Sequence, residues 1–140
     1  MKHLIYLGLT LLLVSCSTKK QAVTTPLRNS QTFVLTEIST DPTYGLTPKN
    51  PVEVGGAHES EGPLNERRYL NALAGPNGEK ISYYRLGSCC PVKSENGFNG
   101  VAMLDNYRVT WEGSTDTVSI YINMYDHSKL QAPVGFTIKK

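Results

Sequence analysis

The sequence predicts an α+β domain, a mostly antiparallel sheet with one helix in a single small unit. Three observations predict it. Tyr107, Val109 and Trp111 alternate with Arg108, Thr110 and Glu112, and Val118, Ile120, Ile122 and Met124 alternate with Ser119, Tyr121, Asn123 and Tyr125. Between the two runs Gly113-Ser114-Thr115-Asp116 supplies a turn, so they read as a hairpin with one apolar face. Residues 63–73 carry the helix signals, and residues 32–38 are rich in β-branched and aromatic side chains.

Each element follows in chain order. Thr32-Phe33-Val34-Leu35-Thr36-Glu37-Ile38 reads as a strand. Residues 40–51 hold Asp41-Pro42, Tyr44-Gly45, Pro48 and Asn50-Pro51, which is loop chemistry. Val52-Glu53-Val54 is a short strand stopped by Gly55-Gly56. Pro63 suits a first helical position because its missing N–H costs nothing there. Glu66 is placed in the first turn, where the helix dipole favours negative charge. Tyr69, Leu70 and Leu73 share a face, and Gly75-Pro76 closes the helix. Asn77-Gly78 is a turn, and residues 81–86 form the next strand. In the final hairpin Trp111 and Ile120 are expected on the buried face and Tyr121 on the other.

The N-terminus carries a different kind of signal. Lys2 precedes an apolar run over residues 4–14, interrupted only by Gly8 and Thr10. Eleven residues rising about 1.5 Å each cover only about half of a bilayer core. The run is too short to span and suits the apolar region of an export signal. It ends in Leu13-Val14-Ser15-Cys16, the pattern cut by lipoprotein signal peptidase before an acylated cysteine. Residues 1–15 therefore read as a signal peptide and Cys16 as the lipid-bearing N-terminus. Two or more acyl chains give stable anchoring. Ser17, rather than an aspartate, favours the outer membrane, and Lys19-Lys20 stand where acidic residues would mark surface export. The expectation is a periplasm-facing protein on the inner leaflet of the outer membrane. Residues 16–31 read as a flexible tether and residues 32–140 as the domain.

Removing residues 1–15 takes away one lysine, so a formal charge of +2 falls to about +1. A near-neutral chain has no long-range pull on nucleic acid. About 110 residues are enough for one compact domain. No Gly-x-Ser-x-Gly, phosphate loop, dinucleotide fingerprint or His-Glu-x-x-His occurs, so no cofactor is implied and the reading is non-catalytic.

Cys89-Cys90 is the oddest feature, because with Cys16 spent on lipid these are the remaining thiols. In an oxidising compartment two thiols rarely stay free. Adjacent Cα atoms lie about 3.8 Å apart, below the usual disulfide range. One reading is a vicinal disulfide, or two packed thiols, shaping a turn before Pro91. Others are a redox or ligand-clamping role, or a soft-metal site with His58, His127 or Met124. No metal-ligand spacing supports the last. Arg67, Arg68 and Arg85 could hold an anion, and Glu66 could pair with Arg68 or Arg85. Asn123, Tyr125 and Asp126 at a strand end could face a ligand.

Four segments carry a resemblance. They are Gly62-Pro63-x-Asn65-Glu66-Arg67-Arg68-Tyr69-Leu70-Asn71-x-Leu73, Gly75-Pro76-Asn77-Gly78-Glu79, Tyr84-x-Leu86-Gly87-Ser88-Cys89-Cys90-Pro91 and Tyr121-Ile122-Asn123-Met124-Tyr125-Asp126. The chain resembles, over residues 38–137, a family of small bacterial lipoproteins of unknown function, sometimes named 2-dehydro-3-deoxyphosphooctonate aldolase. The enzyme of that name is a (β/α)₈ barrel, which needs at least about 200 residues. The resemblance thus implies lipidation and one intact domain, and it brings no active site.

Overall fold

The computed structural model describes residues 23–140, which fold as a single small α+β domain with one helix and mostly antiparallel strands. The elements are β1 (Leu27–Asn29), β2 (Thr32–Phe33), β3 (Val52–Glu53), α1 (Gly62–Leu70), β4 (Leu73–Ala74), β5 (Ile81–Phe98), β6 (Val101–Trp111), β7 (Val118–Asn123) and β8 (Thr137–Ile138). Strands β3-β7-β6-β5 form a four-stranded sheet in that order, and β1-β2 and β4-β8 are two-stranded. All pairings are antiparallel except β3 with β7.

The predicted β6–β7 hairpin is present, and its alternation sets the core. Val109, Ile120 and Ile122 are completely buried and Tyr107 nearly so. They pack with Tyr69, Leu70 and Leu73 from α1 and the segment after it, and with Val52 and Phe136. Trp111, Val118 and Met124 are only half-buried, because they sit at the strand ends where the core thins. Trp111 meets the edge of Phe136 at 5.7 Å between ring centroids.

The largest departure from the sequence reading lies in β5 and β6. Residues 81–86 were expected as a short strand and Pro91 as the end of a turn. Instead one strand runs from Ile81 to Phe98, through both cysteines and Pro91, paired with β6 except where residues 94–97 bulge out between Lys93 and Phe98. Asn99-Gly100 makes the connecting turn, with φ of 51° and 78°. Positive φ at both central residues marks the two-residue turn whose twist matches paired strands. Pro91 is tolerated because β5 is an edge strand.

The helix begins at Gly62 and ends at Leu70, three residues short of the predicted end. Leu73 and Ala74 leave it to pair with Ile138 and Thr137, so a strand contact ends the helix before Gly75-Pro76 can. The earlier start puts Glu66 beyond the first turn, away from the favourable dipole. Of the strand expected over residues 32–38, only Thr32–Phe33 is regular. Beyond it Ser39 and Ala132 bond across to residues 132 and 37, giving a bridge at Ile38.

The last residues of the segment expected as a tether over residues 16–31 are folded. Residues 27–31 belong to the domain, where Arg68 Nε donates to Ser30 O at 2.9 Å and Asn71 Nδ2 donates to Gln31 O at 2.8 Å. The signal peptide and Cys16 lie outside the described residues.

Candidate functional site

Two irregularities in β5 build the site. The register slips between Arg85 and Gly87 and again between Cys89 and Pro91, leaving Leu86 and Cys90 as extra residues. Cross-strand partners share a face of a sheet. Arg85 stands opposite Tyr107 and Ser88 opposite Asp105. In a regular strand residues three apart point to opposite faces; the extra residue at Leu86 turns Ser88 back to the side of Arg85. That side is the one covered by α1.

Arg85 grips Asp105 with two parallel bonds, Nε to Oδ2 at 2.7 Å and Nη2 to Oδ1 at 2.9 Å. Ser88 Oγ donates to Asp105 Oδ1 at 2.9 Å and accepts from Arg85 Nη2 at 2.7 Å. Burial raises the Asp105 pKa, but the hydrogen bonds from Arg85 and Ser88 outweigh it and hold the group below the ordinary aspartate value. Asp105 is therefore ionised, with its charge matched by the guanidinium of Arg85, a half-exposed side chain.

Glu66 lies behind this pair and is completely buried. Tyr107 donates its hydroxyl to Glu66 Oε2 at 2.8 Å. Oε1 has no donor. Burial, and then repulsion from Asp105, push the Glu66 pKa up to about 8. A neutral carboxyl resolves the geometry, because a proton on Glu66 can be donated to Asp105, its hydrogen-bonding neighbour. Two close carboxyls in one site separate their protonation states in this way. Tyr83 closes the other side, its ring edge-on to Tyr107 at 6.0 Å and its hydroxyl donating to Asn71 Oδ1 at 2.8 Å.

Cys89 and Cys90 are bonded to each other, with Cα atoms 3.7 Å apart. Cys90 takes a φ of 52° as the extra residue of the second irregularity. Both cysteines are half-buried. The disulfide thus adjoins Ser88 and sits within a continuous strand, where a turn was expected.

The other candidates do not join this cluster. Arg68 is buried and donates to Glu61 Oε2 at 2.9 Å and to Asn65 Oδ1 at 2.8 Å. Glu66 pairs with neither Arg68 nor Arg85, since Glu61 and Asp105 take those cations. Arg67 is exposed. Asn123 and Asp126 turn inward, with Asn123 Nδ2 donating to Asp126 Oδ2 at 2.7 Å. Asp126 Oδ1 accepts from Ser94 Oγ and Asn96 Nδ2, both at 2.8 Å, which ties the end of β7 to the β5–β6 tip. Tyr125 is half-buried beside them. His58 Nε2 meets Asn96 O at 3.0 Å, and His127 packs on Gly55. Among the described residues no group of three or more His, Cys, Asp or Glu is placed to hold a metal ion.

Asp105, Ser88 and Tyr107 are the site residues that sequence reasoning missed. Asn99-Gly100 marks the hairpin that brings them together. The register could not be counted back from that turn, because β5 departs from regular pairing at three places before Arg85. Searched against protein families, curated proteins and solved structures, the chain matches none.

Proposed function

We propose that this chain is a lipid-anchored, non-catalytic module of the bacterial cell envelope, held at the outer membrane through Cys16 and facing the periplasm. Leu13-Val14-Ser15-Cys16, closing an apolar run too short to span a bilayer, is the observation that carries the reading. Among the described residues no helix is long and apolar enough to cross a membrane. The non-catalytic part is supported by how the polar cluster spends its groups. Asp105 is occupied by Arg85 and Ser88, and Glu66 is sealed from solvent. A general acid or base must come within hydrogen-bond reach of a substrate. The resemblance to small lipoproteins agrees with this proposal.

Mass spectrometry of the mature N-terminal peptide, with membrane fractionation, tests the anchor. Diacylglycerol on Cys16, and loss of processing and of membrane association in Cys16→Ala, are expected. An unmodified Cys16, or a variant that stays equally lipid-labelled, overturns the reading.

A second reading is a thiol-redox protein centred on Cys89 and Cys90. The half-buried disulfide favours it, because a partner thiol could reach a sulfur that is not fully enclosed. Trapping of a mixed disulfide with a partner dithiol in cells would support it; a pair that stays bonded and untrapped would sink it.

A further inference from the structure

We infer that the tip of the β5–β6 hairpin touches the bilayer surface, with Phe98 as its inserting side chain. The inference rests on the reading of Cys16 as the lipid anchor.

Phe98 is 82% exposed, and Met103 and Val101 are 43% and 42% exposed. Register makes them one patch. Val101 stands across from Phe98 and Lys93, and Met103 across from exposed Pro91, so all five side chains share a sheet face. Positions 101 and 103 continue the face of Asp105 and Tyr107 toward the turn, where it becomes exposed, and give the patch its length. The patch ends in a two-residue turn, Asn99-Gly100, so its most exposed aromatic ring stands beside a protruding edge.

The chain reaches the membrane from the same end. Val23, Thr24 and Thr25 line a groove with Glu61, Asn65, His127 and Ser128. Neighbours of those residues hold the hairpin tip: His58 meets Asn96 O, and Asp126 accepts from Ser94 and Asn96. Cys16 is seven positions before Val23, a reach of at most about 25 Å even if fully extended. The lipid therefore keeps this end of the domain close to the bilayer. Tethering also makes insertion an intramolecular step, so a contact too weak to recruit a free protein is populated once the anchor is in place.

Charge points to the kind of surface. Glu59, Glu61 and Glu95 are exposed at this end beside Lys93, so no net attraction to anionic lipid is expected. The contact is apolar and suits a zwitterionic bilayer.

The test uses the full mature lipoprotein in phosphatidylcholine vesicles with and without brominated acyl chains, which quench nearby indoles. Trp111, the one native tryptophan, lies at the opposite end of β6 and gives the wild-type baseline. Phe98→Trp adds an indole at the tip, and Thr115→Trp adds one at the far turn. Quenching and a blue shift of the added emission are expected for Phe98→Trp and neither for Thr115→Trp. Both effects should be the same at low and high salt. Acylation is read on the same sample by mass. An acylated protein whose position-98 indole is unquenched overturns the tip contact alone, as does protection of that indole by a second copy without lipid. A protein without acyl chains overturns the anchor, and the tip contact falls with it.

Discussion

Tyr107 and Glu66, 41 positions apart, meet inside the domain through a 2.8 Å hydrogen bond from hydroxyl to carboxyl. The bond leaves the second carboxyl oxygen facing an aspartate that is already ionised. The helix is thereby joined to the sheet through a proton as well as through packing.

This arrangement makes stability depend on pH. The folded Glu66 pKa, about 8, is above its ordinary value of 4.5. Its contribution is fully present below pH 4.5 and is lost as pH rises through 8. Asp105 acts oppositely: its pKa is lowered, so its contribution is present above the ordinary value of 3.8 and is lost as pH falls. Denaturant midpoints measured from pH 5 to 9 should fall by the equivalent of a few kcal/mol. Glu66→Gln should keep the neutral hydrogen bonding and flatten most of that fall. An equally steep fall in the variant would show that Glu66 is ionised in the fold.

Arg85→Ala leaves the buried Asp105 charge with Ser88 and the protonated Glu66 as its remaining donors. About half of the Arg85 side chain is exposed, so water replaces part of the interaction, and the expected loss is about 2 kcal/mol. Arg85→Lys should recover little, since an ammonium cannot match two parallel bonds. Chemical denaturation of both variants at pH 7 decides it, and full recovery by lysine would remove the bidentate grip as the cause.

The hairpin faces can be ranked by truncation. Ile120→Ala should cost about 2–5 kcal/mol because the side chain is completely buried. Trp111→Ala should fall short of the 3–5 kcal/mol typical of a fully buried aromatic, because the indole is only half-buried. Tyr121→Ala, on the opposite face, should cost less than Ile120→Ala. Equal midpoints for Ile120→Ala and Tyr121→Ala would show that the two positions do not lie on different faces.

Replacing both cysteines, Cys89→Ser with Cys90→Ser, removes the link while keeping the backbone. A lower midpoint with an unchanged far-ultraviolet spectrum is expected, because the pairing of β5 with β6 extends well beyond the extra residue at Cys90. Thiol counting on the wild type under denaturing, non-reducing conditions should find neither Cys89 nor Cys90 free. A wild type with both thiols reactive would remove the disulfide from the account of this strand.

Local signals determined the fold class, the helix and the β6–β7 hairpin: Pro63 and a shared apolar face mark the helix, and alternation over residues 107–111 and 118–124 reports directly which hairpin side chains leave water. The motif at residues 13–16 is likewise local, and its reading needs no tertiary contact. Only the tertiary structure decided where the helix stops, since Leu73 finds Ile138 across the chain. The same is true of the cluster around Asp105. Three register shifts in β5 and a turn at Asn99-Gly100 set which side chains of a continuous strand share a face. A slip of one residue reverses every side chain after it, and local sequence carries little information about such slips. Glu66 shows the same limit from the helix side: its place in the chain suggested a charged first turn, whereas complete burial beside Asp105 makes it neutral.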